Sequence, residues 1–92
     1  MSQPARGWVK SRSPLTGGEY AVHLTMADTV DDQCILRIDQ SRLAAESRVS
    51  KSTVTRTVRH MLALGLLERV DTAEQERARM ACHQPVRLRM VF

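Results

Sequence analysis

The stretch Asp39-Gln-Ser-Arg-Leu-Ala-Ala-Glu-Ser-Arg-Val-Ser50-Lys-Ser-Thr-Val-Thr-Arg-Thr-Val-Arg-His-Met-Leu-Ala-Leu-Gly65-Leu-Leu67 decides how this chain folds. Val54, Val58, Met61 and Leu62 recur at i, i+4, i+7 and i+8, the stripe of an amphipathic helix over 51–64. Ser50 is suited to cap its start, and Gly65 stands where a helix ends in the left-handed conformation. Asp39 caps a shorter helix over 40–47 that turns Leu43, Ala44 and Ser47 inward. Only Arg48-Val49-Ser50 separates the two. Two short helices joined by three residues, the second basic on its outer face, make a helix-turn-helix.

Working outward, Leu66 to Val70 reads as a strand, and the alternation in Val86-Arg-Leu-Arg-Met90 makes 85–91 the strand that pairs back on it. Between them, 71–84 is rich in helix formers but is also compatible with an extended hairpin loop. Upstream, Cys34-Ile-Leu-Arg-Ile38 suggests a brief strand over 34–38. Thr16 and Glu19 have the spacing of a capping box, with Leu15 and Tyr20 as a hydrophobic staple, so a helix is expected over 16–29. Residues 1–14 hold Pro4, Gly7 and Pro14 without an apolar period and are expected to be a flexible basic N-terminal arm, pinned at most by Trp8-Val9. The fold class is therefore mainly α with a small β-hairpin, as one domain over 15–92.

A chain of 92 residues allows one small domain and excludes two-lobed enzyme architectures. Apolar residues make up 42%, enough for a core. The aromatic residues are Trp8, Tyr20 and Phe92, too few for a module that stacks single-stranded bases. No apolar run is long enough to span a membrane, and Met1 to Ser13 lacks the apolar core of a signal peptide, so a cytoplasmic location is expected. Cys34 and Cys82 read as free thiols.

Charge is distributed unevenly behind the net +4. Residues 1–12 carry +3, residues 13–36 carry −4, and residues 48–67 carry +4 without one acid. A basic helix face is often merely solvated, but here it also presents hydroxyls and lacks exposed apolar groups, which suits base edges and phosphates.

Leu15-Thr-Gly-Gly-Glu19, Ala27-Asp28, Asp31-Asp32, Asp39 to Ala44, Val49 to Arg56 and Leu62 to Leu67, in this order and spacing, resemble the winged helix-turn-helix domains of bacterial, phage and plasmid regulators and replication initiators. The resemblance implies a three-helix core, a β-hairpin wing and binding of double-stranded DNA. Two residues depart from that pattern. Arg48 stands where the family usually has glycine in the turn, and Ser47 replaces the usual leucine before it.

The expected base contacts are Ser52, Thr53 and Arg56, in the half of the helix that enters a groove most deeply. Arg48, Ser50, Lys51, Thr55 and Arg59 are expected on phosphates, and Arg77, Arg79 and Arg87 on DNA from the wing. The function read from this set is a sequence-specific double-stranded DNA-binding protein, a small transcriptional regulator acting as a homodimer. The alternatives are a replication or recombination accessory factor of a phage or plasmid, and a winged helix that binds protein.

No enzyme activity is expected, since there is no phosphate loop, paired carboxylate or nucleophile elbow. No cofactor or metal is expected, because His23, His60, His83, Cys34 and Cys82 lack ligand spacing. With no separate ligand domain, no small-molecule effector is expected either.

Overall fold

The computed structural model describes residues 3–36, 39–84 and 87–92. Five helices and two strands follow in the order α1 (Gln3–Arg12), α2 (Gly17–Thr29), α3 (Gln40–Ser47), α4 (Lys51–Leu64), β1 (Leu67–Arg69), α5 (Ala73–Ala81) and β2 (Leu88–Met90). Helices α2, α3 and α4 enclose the core, and β1 and β2 form an antiparallel hairpin with Leu67 opposite Met90 and Arg69 opposite Leu88. The architecture is mainly helical with a small wing, a winged helix-turn-helix.

Local signals start and stop the central helices. The Asp39 carboxylate accepts the Arg42 N–H at 2.8 Å, and Ser50 Oγ accepts the Thr53 N–H at 3.1 Å. Helix α4 ends at Gly65, whose φ of 76° lets the Leu66 N–H return to the Met61 carbonyl at 2.8 Å. Its buried side is Val54, Thr57, Val58 and Met61, while Leu62 is half-buried. Thr57 fits that apolar wall because its hydroxyl donates to the Thr53 carbonyl at 2.7 Å.

Three expectations are corrected. Residues 3–12 are not a flexible arm but helix α1, docked on α2. Ala5 and Val9, one turn apart, are buried; Trp8 packs beside them; and Arg6 donates to the Asp28 carboxylate at 2.5 Å. The capping box at Thr16 does not form. Thr16 caps with no side-chain hydrogen bond, and Glu19 instead meets His60 Nδ1 across the fold at 3.2 Å.

The strand expected at 34–38 is reduced to single bridges, Val30 to Leu36 and Ile35 to Arg89; Arg37 and Ile38 lie outside the described residues. The bridging segment covers the outer edge of β2, where the Leu36 N–H donates to Leu88 and the Met90 N–H donates to Cys34. Pro85 and Val86 also lie outside the described residues.

Between β1 and β2 the chain forms helix α5 rather than a plain hairpin loop. Thr72 and Gln75 make the reciprocal capping box that Thr16 and Glu19 do not, at 3.2 and 2.8 Å. No residue of α5 is buried.

Candidate nucleic-acid interface

Helix α4 presents to solvent the face its core stripe leaves over. Lys51, Ser52, Arg56 and Arg59 are exposed, with Arg48 and Ser50 at its N-terminal end. Among the described residues no carboxylate pairs with Arg48, Lys51, Arg56 or Arg59. The guanidiniums are therefore available, and a guanidinium fork matches both a guanine edge and a phosphate.

The hydroxyls on this face are partly engaged. Ser50 Oγ, besides capping the helix, lies 2.8 Å from Thr53 Oγ1 and 3.1 Å from Ser52 Oγ. Thr53 is half-buried, and a Cβ placed on Gly18 would lie 3.5 Å from its Cγ2 and from Val49 Cγ1. The first turn of α2 thus abuts one flank of α4. On the other flank Thr55 Oγ1 donates to Gln40 Oε1 at 3.2 Å and to the Lys51 carbonyl at 3.1 Å. Neither Gln40 nor the Glu19–His60 pair was singled out from sequence, because their partners lie 15 and 41 positions away.

The turn carries the departure seen in the sequence. Arg48 has φ 59° and ψ 40°, the left-handed conformation that glycine adopts without strain. It closes α3 by donating its N–H to Ala45, while Val49 donates to Ala44. Ser47 is buried, and its hydroxyl has no partner among the described residues.

The wing arginines divide. Arg79 Nε donates to Asp71 at 2.8 Å, and Arg87 grips the same carboxylate through Nε at 3.1 Å and through Nη2. The hydrogen bonds from Arg87, with the charges of both arginines, hold Asp71 below the usual carboxylate range. Arg69 pairs with Glu76 at 3.1 Å and Arg89 with Glu68 at 2.7 Å. Arg77 is exposed and in no ion pair among the described residues.

Asp71 escaped the sequence reading because its partners lie 8 and 16 positions downstream, a spacing that belongs to no helix or strand face. Arg48, Ser50, Lys51, Ser52, Thr55, Arg56 and Arg59 are therefore gathered on and before α4, whereas Arg79 and Arg87 converge on Asp71.

Among the described residues no group of three or more His, Cys, Asp or Glu side chains is placed to hold a metal ion. No described helix is long and apolar enough to cross a membrane. The MarR family model matches residues 29–78, from the end of α2 through the helix-turn-helix into α5. No curated protein and no solved structure matches the chain. The family match covers more than half of the 92 residues and falls on the elements that build the basic face. This chain belongs to the MarR family, and it is a DNA-binding transcriptional regulator of winged helix-turn-helix architecture.

Proposed function

We propose that the protein is a sequence-specific regulator whose helix α4 enters the major groove of double-stranded DNA. The observation that carries this reading is the exposed, acid-free face of α4, braced between α2 and α3. Arg56 is the principal base reader and Ser52 the second. Thr53, being half-buried, reaches the groove with less of its side chain. Arg48, Ser50, Lys51, Thr55 and Arg59 hold phosphates. In the wing, Arg77 is free to contact DNA, and Arg79 and Arg87 do so only with the N–H groups that Asp71 leaves over.

One winged helix covers only about 600–1,000 Å² of DNA and makes few base contacts. We therefore propose a homodimer on paired half-sites about one helical turn apart, acting in the cytoplasm without a small-molecule effector. Its subunits join through α1 and the C-terminal end, where half-buried Trp8 meets Phe92 edge-to-face at 5.4 Å.

Selection of bound sequences from random duplex DNA tests this. Arg56→Ala relaxes the preference at one base pair per half-site, by about 1–3 kcal/mol. Lys51→Ala weakens all sequences alike. Binding of every duplex with equal affinity, or an unrepeated recovered site, overturns the specific or the dimeric part of the proposal respectively.

A further inference from the structure

Gln40 opens α3, and its side chain reaches across to α4. Its Oε1 lies 3.2 Å from Thr55 Oγ1, which is also 3.1 Å from the Lys51 carbonyl. A hydroxyl has one proton. Either Gln40 accepts it, or Lys51 does and Gln40, with its amide turned over, gives one N–H to the Thr55 oxygen. The amide carries two N–H bonds, so at least one is left in either arrangement. Gln40 is exposed, and its side chain makes no other hydrogen bond among the described residues.

Helix α4 sets where that N–H is offered. At about 100° per residue, Ser52, Arg56 and Arg59 share the outward face, and Lys51 and Thr55 lie to one side of it, toward buried Val58. Gln40 therefore stands at the flank of the face, not in front of it. Gln40 and Lys51 also border one open cleft of about 350 Å³, whose far wall includes His83 and Gln84, past the end of α5. Asp39 is the acid among its described lining residues, and its carboxylate is taken up in capping α3. A helix in the major groove has base edges before it and phosphates along its sides. An uncharged N–H donor beside a lysine, on the flank, suits a phosphate.

Resting on the proposed insertion of α4, we propose that Gln40 is a DNA-contacting residue of α3. Its amide N–H bonds the phosphate held by Lys51 and Thr55, and so ties α3 as well as α4 to one strand. The competing explanation is that Gln40 only braces Thr55 within the protein. The two accounts differ in whether one particular phosphate feels the side chain.

The test measures binding of the full chain, and of its Gln40→Met variant, to the selected site in duplexes carrying an uncharged methylphosphonate at one phosphate at a time. Methionine has a length and helix propensity close to those of glutamine but no N–H. Gln40→Met binds the unmodified duplex about tenfold more weakly, the scale of one hydrogen bond to a charged group. Its log–log salt slope is unchanged, because a neutral side chain releases no counterion. At one phosphate per half-site the methylphosphonate costs Gln40→Met about tenfold less than it costs the unaltered chain. A second variant, Gln40→Lys, regains the affinity and steepens the slope by about 0.9 per protomer. Equal costs for Gln40→Met and the unaltered chain at every phosphate overturn the proposal and leave a brace. So does a Gln40→Lys variant as weak as Gln40→Met with an unchanged slope. If instead the unaltered chain is indifferent to every methylphosphonate, the insertion of α4 itself fails, and this proposal with it.

Discussion

Helices α4 and α5 lie on either side of β1, and they are held by different forces. Helix α4 buries Val54, Thr57, Val58 and Met61 against α2 and α3; α5 buries nothing and is fastened by a capping box, Arg69–Glu76 and the two arginines on Asp71. Hydrophobic burial is non-directional, summed over many atoms and not weakened by the screening of charge. Ion pairs depend on geometry, weaken with salt when exposed and fail when either partner changes its protonation. Helix α4 is therefore part of the cooperative core, and the wing helix is attached to it by contacts that solution conditions can loosen.

One residue type occurs in both regions and provides the sharpest test. Met61 is fully buried under α4, whereas Met80 on α5 is 65% exposed. Met61→Ala lowers the unfolding free energy by about 2–5 kcal/mol through lost transfer energy and the cavity left behind. Met80→Ala stays within about 0.5 kcal/mol of the unaltered chain. Denaturant titrations of the two variants check this, and comparable losses would erase the distinction.

Acid separates the regions in the opposite order. Buried His23 packs between Ser13 and the Trp8 ring, 6.0 Å away, and burial pushes its pKa down to about 4. In the unfolded chain it titrates at about 6.5. Between those values the unfolded state binds the extra proton, so stability is complete above about pH 6.5 and falls as the pH drops toward 4. The loss approaches about 3 kcal/mol. Asp71 is displaced the other way. Its contribution is present above the ordinary carboxylate pKa of about 4 and disappears only as the pH falls through its lower folded value. At pH 5 the unfolded chain therefore gains from protonating His23, which lowers the stability of the whole fold, while Asp71 still contributes. Stability measured against pH shows this first slope, and His23→Gln flattens it; a slope that survives the substitution assigns it to another group.

The same contrast governs what the sequence made legible. The caps Asp39 and Ser50, the stripe of α4 and the end at Gly65 each lie within a few positions of what they act on, and the exposed face follows as the complement of the stripe. Contacts between distant positions gave no such pattern. Helix α1 was hidden because its apolar signal is only Ala5, Trp8 and Val9, and its anchor Asp28 is 22 positions away. Glu19 matched a capping-box spacing yet turns to His60, because a partner across the fold competes with the local one. The wing arginines read as free cations because nothing local points from Arg79 or Arg87 to Asp71.

Arg48 joins the two themes, since it is local in sequence yet opposes its own backbone. A residue with a Cβ in the left-handed region costs about 1 kcal/mol more than glycine there. Glycine also gains freedom in the unfolded chain, which offsets part of the relief. Arg48→Gly is therefore expected to raise stability by about 0.5–1 kcal/mol, the smallest of these effects. If Arg48 holds a phosphate as proposed, the substitution also lowers the salt slope of DNA binding by about 0.9. Arg48→Ala separates the two consequences, because it removes the charge and retains the strain. Its affinity should fall as far as that of the glycine variant, while its stability stays near that of the unaltered chain. Equal stability of all three proteins would mean that the turn tolerates a side chain at φ 59° without cost. The presence of arginine at this position would then need no compensating gain in DNA binding. Higher stability of the glycine variant together with weaker binding would show instead that the turn retains a strained residue for the charge it brings to the interface.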